Sequence, residues 1–161
     1  MKKLFICIFF LASTVSYAQT DSIYLIKSVD KMTKATMFLP NRYLKLMDKT
    51  GKSGFEISPI VREEKTLDML FIKLIGIGAC HEDSELIVLF KDGENINISS
   101  FGKYNCDATP VFFLNDSAKN ALKEKPIEAI RVTNGYTSKS ATVDLKKRDQ
   151  RYFVQLFKSL N

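Results

Sequence analysis

"ELIVLFKDGENINISS", residues 85–100, decides the fold: two β-type runs flank Asp92-Gly93, the dipeptide that most strongly signals a hairpin. A two-residue turn there sets Lys91 opposite Glu94, Leu89 opposite Ile96 and Ile87 opposite Ile98. Val88 and Phe90 then face Asn97 and Asn95. One side of this hairpin is wholly apolar and is expected to meet the core, while the mixed side is expected nearer a rim.

Working outward, short β-type runs recur with turn residues between them. The expected strands are Ile23 to Val29, Ala35 to Leu39, Arg42 to Asp48, Gly54 to Ser58, Leu67 to Ile75, Glu85 to Lys91, Glu94 to Ser100, Pro110 to Leu114, Ile127 to Thr133 and Lys139 to Leu145. At Asn134-Gly135 a three-residue loop, with Thr133 against Thr137, Ala129 against Ala141 and Ile127 against Val143, suits the apolar residues better than a two-residue one. Asp116-Ser117 can cap a short helix over 117–124 that ends before Pro126. Asp149 can begin a C-terminal helix over 149–160, in which Tyr152, Phe153, Leu156, Phe157 and Leu160 form one apolar face that closes over a sheet. The spacing predicts a mainly β, α+β domain, an antiparallel sheet or sandwich with two helices.

The first residues concern compartment. Met1-Lys2-Lys3 is basic, Leu4 to Leu11 is apolar, and Ser16-Tyr17-Ala18 is a small-x-small pattern. This reads as a signal peptide, residues 1–18, exporting residues 19–161 as a single domain to the periplasm or the extracellular space. The apolar run is too short to span a membrane. Gln19 stands where a lipid-bearing cysteine would have to be, and nothing later is long and apolar enough to span. Losing Lys2 and Lys3 would lower the formal charge from +6 to +4, a mild excess that favours solubility over nucleic-acid binding. Lys146-Lys147-Arg148 with Arg151 and Tyr152 is the nearest thing to a basic, aromatic stripe and reads as a solvated face.

Export also decides the cysteines. Of three, Cys7 leaves with the signal peptide, so Cys80 and Cys106 remain in an oxidising compartment and are expected to form a disulfide. Extrapolating the hairpin pairing puts Cys80 opposite residue 105, one position from Cys106. The sole histidine, His81, adjoins Cys80, but adjacent residues on an extended chain point to opposite faces, which suits a Cys/His catalyst poorly. Zinc lacks the sulfur and nitrogen ligands it needs, and Glu82, Asp83 and Glu85 lack the alternation and glycine of a calcium loop. His81, Glu82 and Asp83 therefore read as a polar surface loop beside a staple, with no catalytic residue, metal or cofactor assigned. Gly51-Lys52-Ser53 lacks the first glycine of a phosphate loop, since position 46 is Leu46, and no Gly-x-Ser-x-Gly elbow occurs.

The runs "LIVLFKDGENINISSFGKYNC" (86–106), "FFLNDSAKNALKEKPIEAIRVTNG" (112–135) and "DQRYFVQLFKSL" (149–160) resemble small exported bacterial proteins of an uncharacterised β-rich family. That resemblance implies a single domain with a short helix before an Ile-Arg strand, and no activity. The leading functional expectation is an exported, disulfide-stapled binding domain for a protein or envelope ligand, without nucleic acid. Phe101, Tyr104 and Tyr136, read as loop aromatics, are the candidate contacts, against the alternative that each tucks onto the sheet. The other expectations are a small carboxylate-dependent envelope or carbohydrate hydrolase, recognisable by a cleft with two facing acids, and an inhibitor of a secreted enzyme.

Overall fold

The computed structural model describes residues 22–160; the expected signal peptide and its cleavage point lie outside them. In chain order the elements are β1 (Leu25–Val29), β2 (Thr36–Pro40), β3 (Leu44–Met47), β4 (Gly54–Arg62), β5 (Leu67–Ile75), β6 (Glu85–Phe90), β7 (Asn95–Phe101), β8 (Val111–Phe113), α1 (Asp116–Glu124), β9 (Ile127–Thr133), β10 (Ser140–Asp144) and α2 (Tyr152–Lys158). Each expected strand has a counterpart within a few residues, because alternation and turn residues are local signals.

The strands form one antiparallel sheet in the order β1-β2-β4-β5-β8-β7-β6-β9-β10, with β3 paired to β4 off that path. The sheet curls until β10 lies against β3 and β4. Alternate residues turn inward: Phe55, Ile57 and Val61 of β4, Leu70, Ile72 and Leu74 of β5, and Phe112 of β8 are all buried. Each such side chain contributes about 1.5–3 kcal/mol by leaving water.

β4 continues to Arg62 although Pro59 suggests an end at Ser58. β3 pairs with Gly54–Ile57 and β2 with Val61–Arg62 along the same edge of β4, leaving a break at Pro59. The bond from Asp48 N–H to Ser53 O fixes the ladder's phase, so odd residues of β4 point their N–H groups toward β3. The missing N–H of Pro59 therefore falls where no strand would accept it.

The central hairpin is displaced by one residue from the expected register. Leu86 opposes Ile98 and Val88 opposes Ile96, while Ile87 and Leu89 oppose Asn97 and Asn95. The loop holds three residues, Lys91 to Gly93, closed by Phe90 N–H to Glu94 O at 2.8 Å and Gly93 N–H to Phe90 O at 3.0 Å, with Gly93 at φ +87°. A turn followed by a left-handed glycine is the second common way to close such a hairpin. The slip exchanges the faces, so Leu86, Val88 and Phe90 enter the core and Ile87 and Leu89 turn outward. Residues 86–90 are apolar without interruption, so their own pattern carries no parity.

The β9–β10 connection also differs. Ser140 opposes Thr133, Ala141 opposes Val132 and Val143 opposes Ile130, and Asn134 N–H bonds Lys139 O, making a loop of residues 134–139. A longer loop still lets the buried pairs meet, and Asn134 is needed elsewhere, as described below.

At the helices, Asn115 rather than Asp116 or Ser117 caps α1, accepting from Ala118 N–H at 2.8 Å. Lys119 ties that helix to β5 through Asp68 at 2.6 Å, which holds the Asp68 carboxyl below its ordinary range. α2 begins at Tyr152, later than expected, and Asp149 does not cap it. The Asp149 carboxylate instead pairs with Arg42 at 2.8 Å. Tyr152, Phe153 and Leu156 are buried and Phe157 and Leu160 pack against the core, so the helical stripe covers the sheet as expected. Tyr152 donates to Arg42 O at 2.8 Å, and burial pushes its phenol up. Its burial also removes the aromatic member of the basic stripe read from residues 146–152.

Candidate functional site

Cys80 and Cys106 are joined in a disulfide with a Cα–Cα distance of 3.8 Å. His81 and Asn105 exchange two backbone hydrogen bonds, at 2.7 and 3.0 Å, which places Cys80 directly opposite Cys106 rather than residue 105. The pair next to a hydrogen-bonded pair is where opposed Cα atoms approach most closely in an antiparallel ladder. The staple thus closes an extension of the strands beyond the central hairpin.

His81 is not on the surface. It is 5% exposed, with Nε2 2.9 Å from Asp107 Oδ1. Its partner is Asp107, on the stapled segment, and neither of the adjacent acids Glu82 and Asp83, which are exposed. Asp107 also accepts from Thr109 N–H at 2.8 Å and Asn105 Nδ2 at 2.7 Å, and the histidine bond, foremost, holds its carboxyl below the ordinary range. His81 therefore pins residues 105–109 to the 80–84 turn. Among the described residues no three His, Cys, Asp or Glu side chains converge as a metal site.

A second anchor lies beside it. Asn134 is fully buried; its Nδ2 donates to Ile77 O at 3.1 Å and Cys80 O at 2.8 Å, and its Oδ1 accepts from Tyr136 N–H at 3.0 Å and Thr137 N–H at 3.3 Å. Gly135 follows because there is no room for a side chain: a Cβ would stand 2.1 Å from Glu82 O and 2.4 Å from Asp83 O. Read as turn punctuation, Asn134-Gly135 instead locks the 134–139 loop to the stapled end.

This scaffold presents the candidate aromatics. Tyr104 and Tyr136, 50% and 57% exposed, meet edge to face at 5.0 Å. The Tyr104 hydroxyl lies 3.1 Å from Cys106 Sγ, and as the disulfide sulfur carries no proton the phenol is the donor. Partial desolvation, with Tyr136 and Glu82 adding to it, raises the Tyr104 phenol. Phe101 is the last residue of β7, not a loop residue, and it packs edge to face on Phe113 at 5.1 Å while remaining 69% exposed. Phe113 was not singled out by the sequence. The registers align Phe101, Val111 and Phe71 in one outer row and Phe113, Met69 and Ile60 in the next. The signal for it is Val111-Phe112-Phe113, apolar on both faces of a strand.

Two concavities bear on the hydrolase expectation. One, of about 760 Å³, lies between β3 and β10 and includes Asp48 and Asp144; another, of about 430 Å³, lies between the turn before β5 and the helices. Asp48 is held below its ordinary range, first by the Thr50 hydroxyl. Asp144 is 72% exposed beside Lys49. A general acid for glycoside cleavage needs a carboxyl raised by burial, whereas in the larger concavity Asp48 is lowered and Asp144 lies exposed.

No described helix is long and apolar enough to cross a membrane. No family model, no curated protein and no solved structure matches the chain.

Proposed function

We propose that the chain is an exported binding domain that engages a protein or envelope ligand through the aromatic surface on the outside of β7, β8 and β5, flanked by the Tyr104–Tyr136 pair. The observation that carries the reading is the exposure of Phe101 and Phe113 side by side on the outer face of a sheet whose inner face already fills the core. Contiguous exposed apolar surface on a small domain marks a contact site, and rigid aromatics give large contact area at low entropic cost. The disulfide fits an oxidising compartment.

The test is photo-crosslinking of the chain in its native setting, with a photoreactive residue placed at Phe101, Phe113, Tyr104 or, as control, Glu128 on β9. The expected result is one adduct shared by the three aromatic positions and absent at Glu128. A double variant, Phe101→Ser with Phe113→Ser, should lose that adduct from Tyr104 while melting near the parent. Labelling equal at Glu128, or an adduct indifferent to the double variant, would overturn the reading.

A further inference from the structure

We infer that the outer edge of β1 is a second interaction surface, which takes an extended acidic segment of a protein partner as an added strand. β1 ends the sheet, with β2 on one side and no described strand on the other. Hydrogen bonds from Asn41 N–H to Tyr24 O and from Asp30 N–H to Ala35 O fix the phase of the β1–β2 ladder. Tyr24, Ile26, Ser28 and Asp30 thus direct their backbone groups to β2, and Leu25, Lys27 and Val29 direct theirs outward. Three alternate residues therefore offer the N–H and C=O groups that strand addition uses.

The side chains specify the occupant. Edge strands are usually short of exposed apolar residues, yet Tyr24, Ile26 and Val29 are 56%, 50% and 49% exposed. Lys27 sits at the centre of the edge, and Lys31 and Lys34 follow in the β1–β2 turn; no described carboxylate pairs with any of the three. Asp30, the nearest acid, spends its Oδ1 on Met32 N–H at 2.9 Å, Thr33 N–H at 2.6 Å and the Thr33 hydroxyl at 2.9 Å. A second copy added antiparallel about Lys27 would set that lysine against itself, which like charges disfavour. A strand with an acid opposite Lys27, and apolar residues opposite Leu25 and Val29 and beside Tyr24 and Ile26, satisfies both the charge and the exposed apolar residues.

The probe is a synthetic peptide of about ten residues in which valines flank a central glutamate that can lie opposite Lys27, N-methylated along one edge so that it cannot pair with itself. It is added to the full exported chain and read by titration and by amide hydrogen exchange. Binding should slow exchange at Leu25, Lys27 and Val29, and a lysine–valine peptide should not bind. Lys27→Glu should weaken the glutamate peptide about tenfold and admit the lysine peptide, since reversing one directly opposed charge shifts the balance by that order. Lys27→Pro removes an outward N–H without touching the β2 ladder, so it should abolish binding with the melting temperature nearly unchanged. Should Lys27→Pro unfold the chain, Lys27→Glu decides. Absence of binding, protection arising at β10 instead of β1, equal binding of the two peptides, or self-association of the chain through Lys27 would each overturn the inference.

Discussion

Replacing Asn134 by alanine tests whether the stapled end is held by one buried amide. In the parent, that side chain makes four hydrogen bonds inside a site with no exposure. Their loss is unequal. Ile77 O keeps the Thr137 hydroxyl at 2.8 Å, so it is not orphaned. Cys80 O, Tyr136 N–H and Thr137 N–H have no other partner within the described residues, and each buried group left unpaired costs about 1–3 kcal/mol. Water reaches the Tyr136 side of the loop, which argues for the lower figure, and the sum is about 3 kcal/mol. Asn134→Asp should cost more at neutral pH, because a carboxylate oxygen would then face the Ile77 and Cys80 carbonyls. The folded-state pKa of that aspartate would be raised above its unfolded value near 3.9, so the excess penalty is present above the folded pKa and fades as pH falls through it. Urea unfolding of the oxidised protein at pH 7 and pH 4 measures both quantities. A loss below about 1 kcal/mol for Asn134→Ala, or an aspartate variant that gains nothing on acidification, would refute the view that this residue joins the 77–80 and 134–137 segments.

Gly135→Ala should destabilise by more than 2 kcal/mol, roughly the scale of overpacking against backbone, which thermal melting will read, since the added methyl meets two carbonyl oxygens and no movable side chain. Cys106→Ser should lower stability by about 3.5 kcal/mol on the entropy model for a loop of this size, in denaturant melts without reductant. The bonds between His81 and Asn105 should nonetheless survive, visible as slow amide exchange at both. His81→Ala should cost about 1–3 kcal/mol, not the few tenths of a surface change, because it removes a buried partner of Asp107. It should also let the Asp107 carboxyl return toward its ordinary pKa in an NMR titration. As that carboxyl is depressed in the folded parent, its contribution is present above the unfolded pKa and lost as pH falls through the folded one, so the variant should lose less stability on acidification than the parent.

The sequence by itself determined the elements. Alternation and turn residues placed the strands, the spacing of Tyr152, Phe153 and Leu156 placed the closing helix, and the count of cysteines after Cys7 chose the staple. These are local properties, written within a few residues of where they act. What only the tertiary structure decided is parity and partnership. One residue more in the Lys91–Gly93 loop turns Ile87 outward and Val88 inward, and the uninterrupted apolar run at 86–90 contains nothing that prefers one outcome. Pro59 is admissible in β4 only because β2 and β3 leave a gap beside it. His81 meets Asp107, and not the acids beside it in sequence, because the backbone bridge between His81 and Asn105 lays the two segments side by side. Phe113 joins Phe101 because β8 lies between β5 and β7, an adjacency that no spacing along the chain expresses. The candidate contacts Phe101, Tyr104 and Tyr136 were legible as aromatics among polar residues; that Tyr104 meets Tyr136 while Phe101 meets Phe113 was not, because such contacts are set by register across segments distant in sequence.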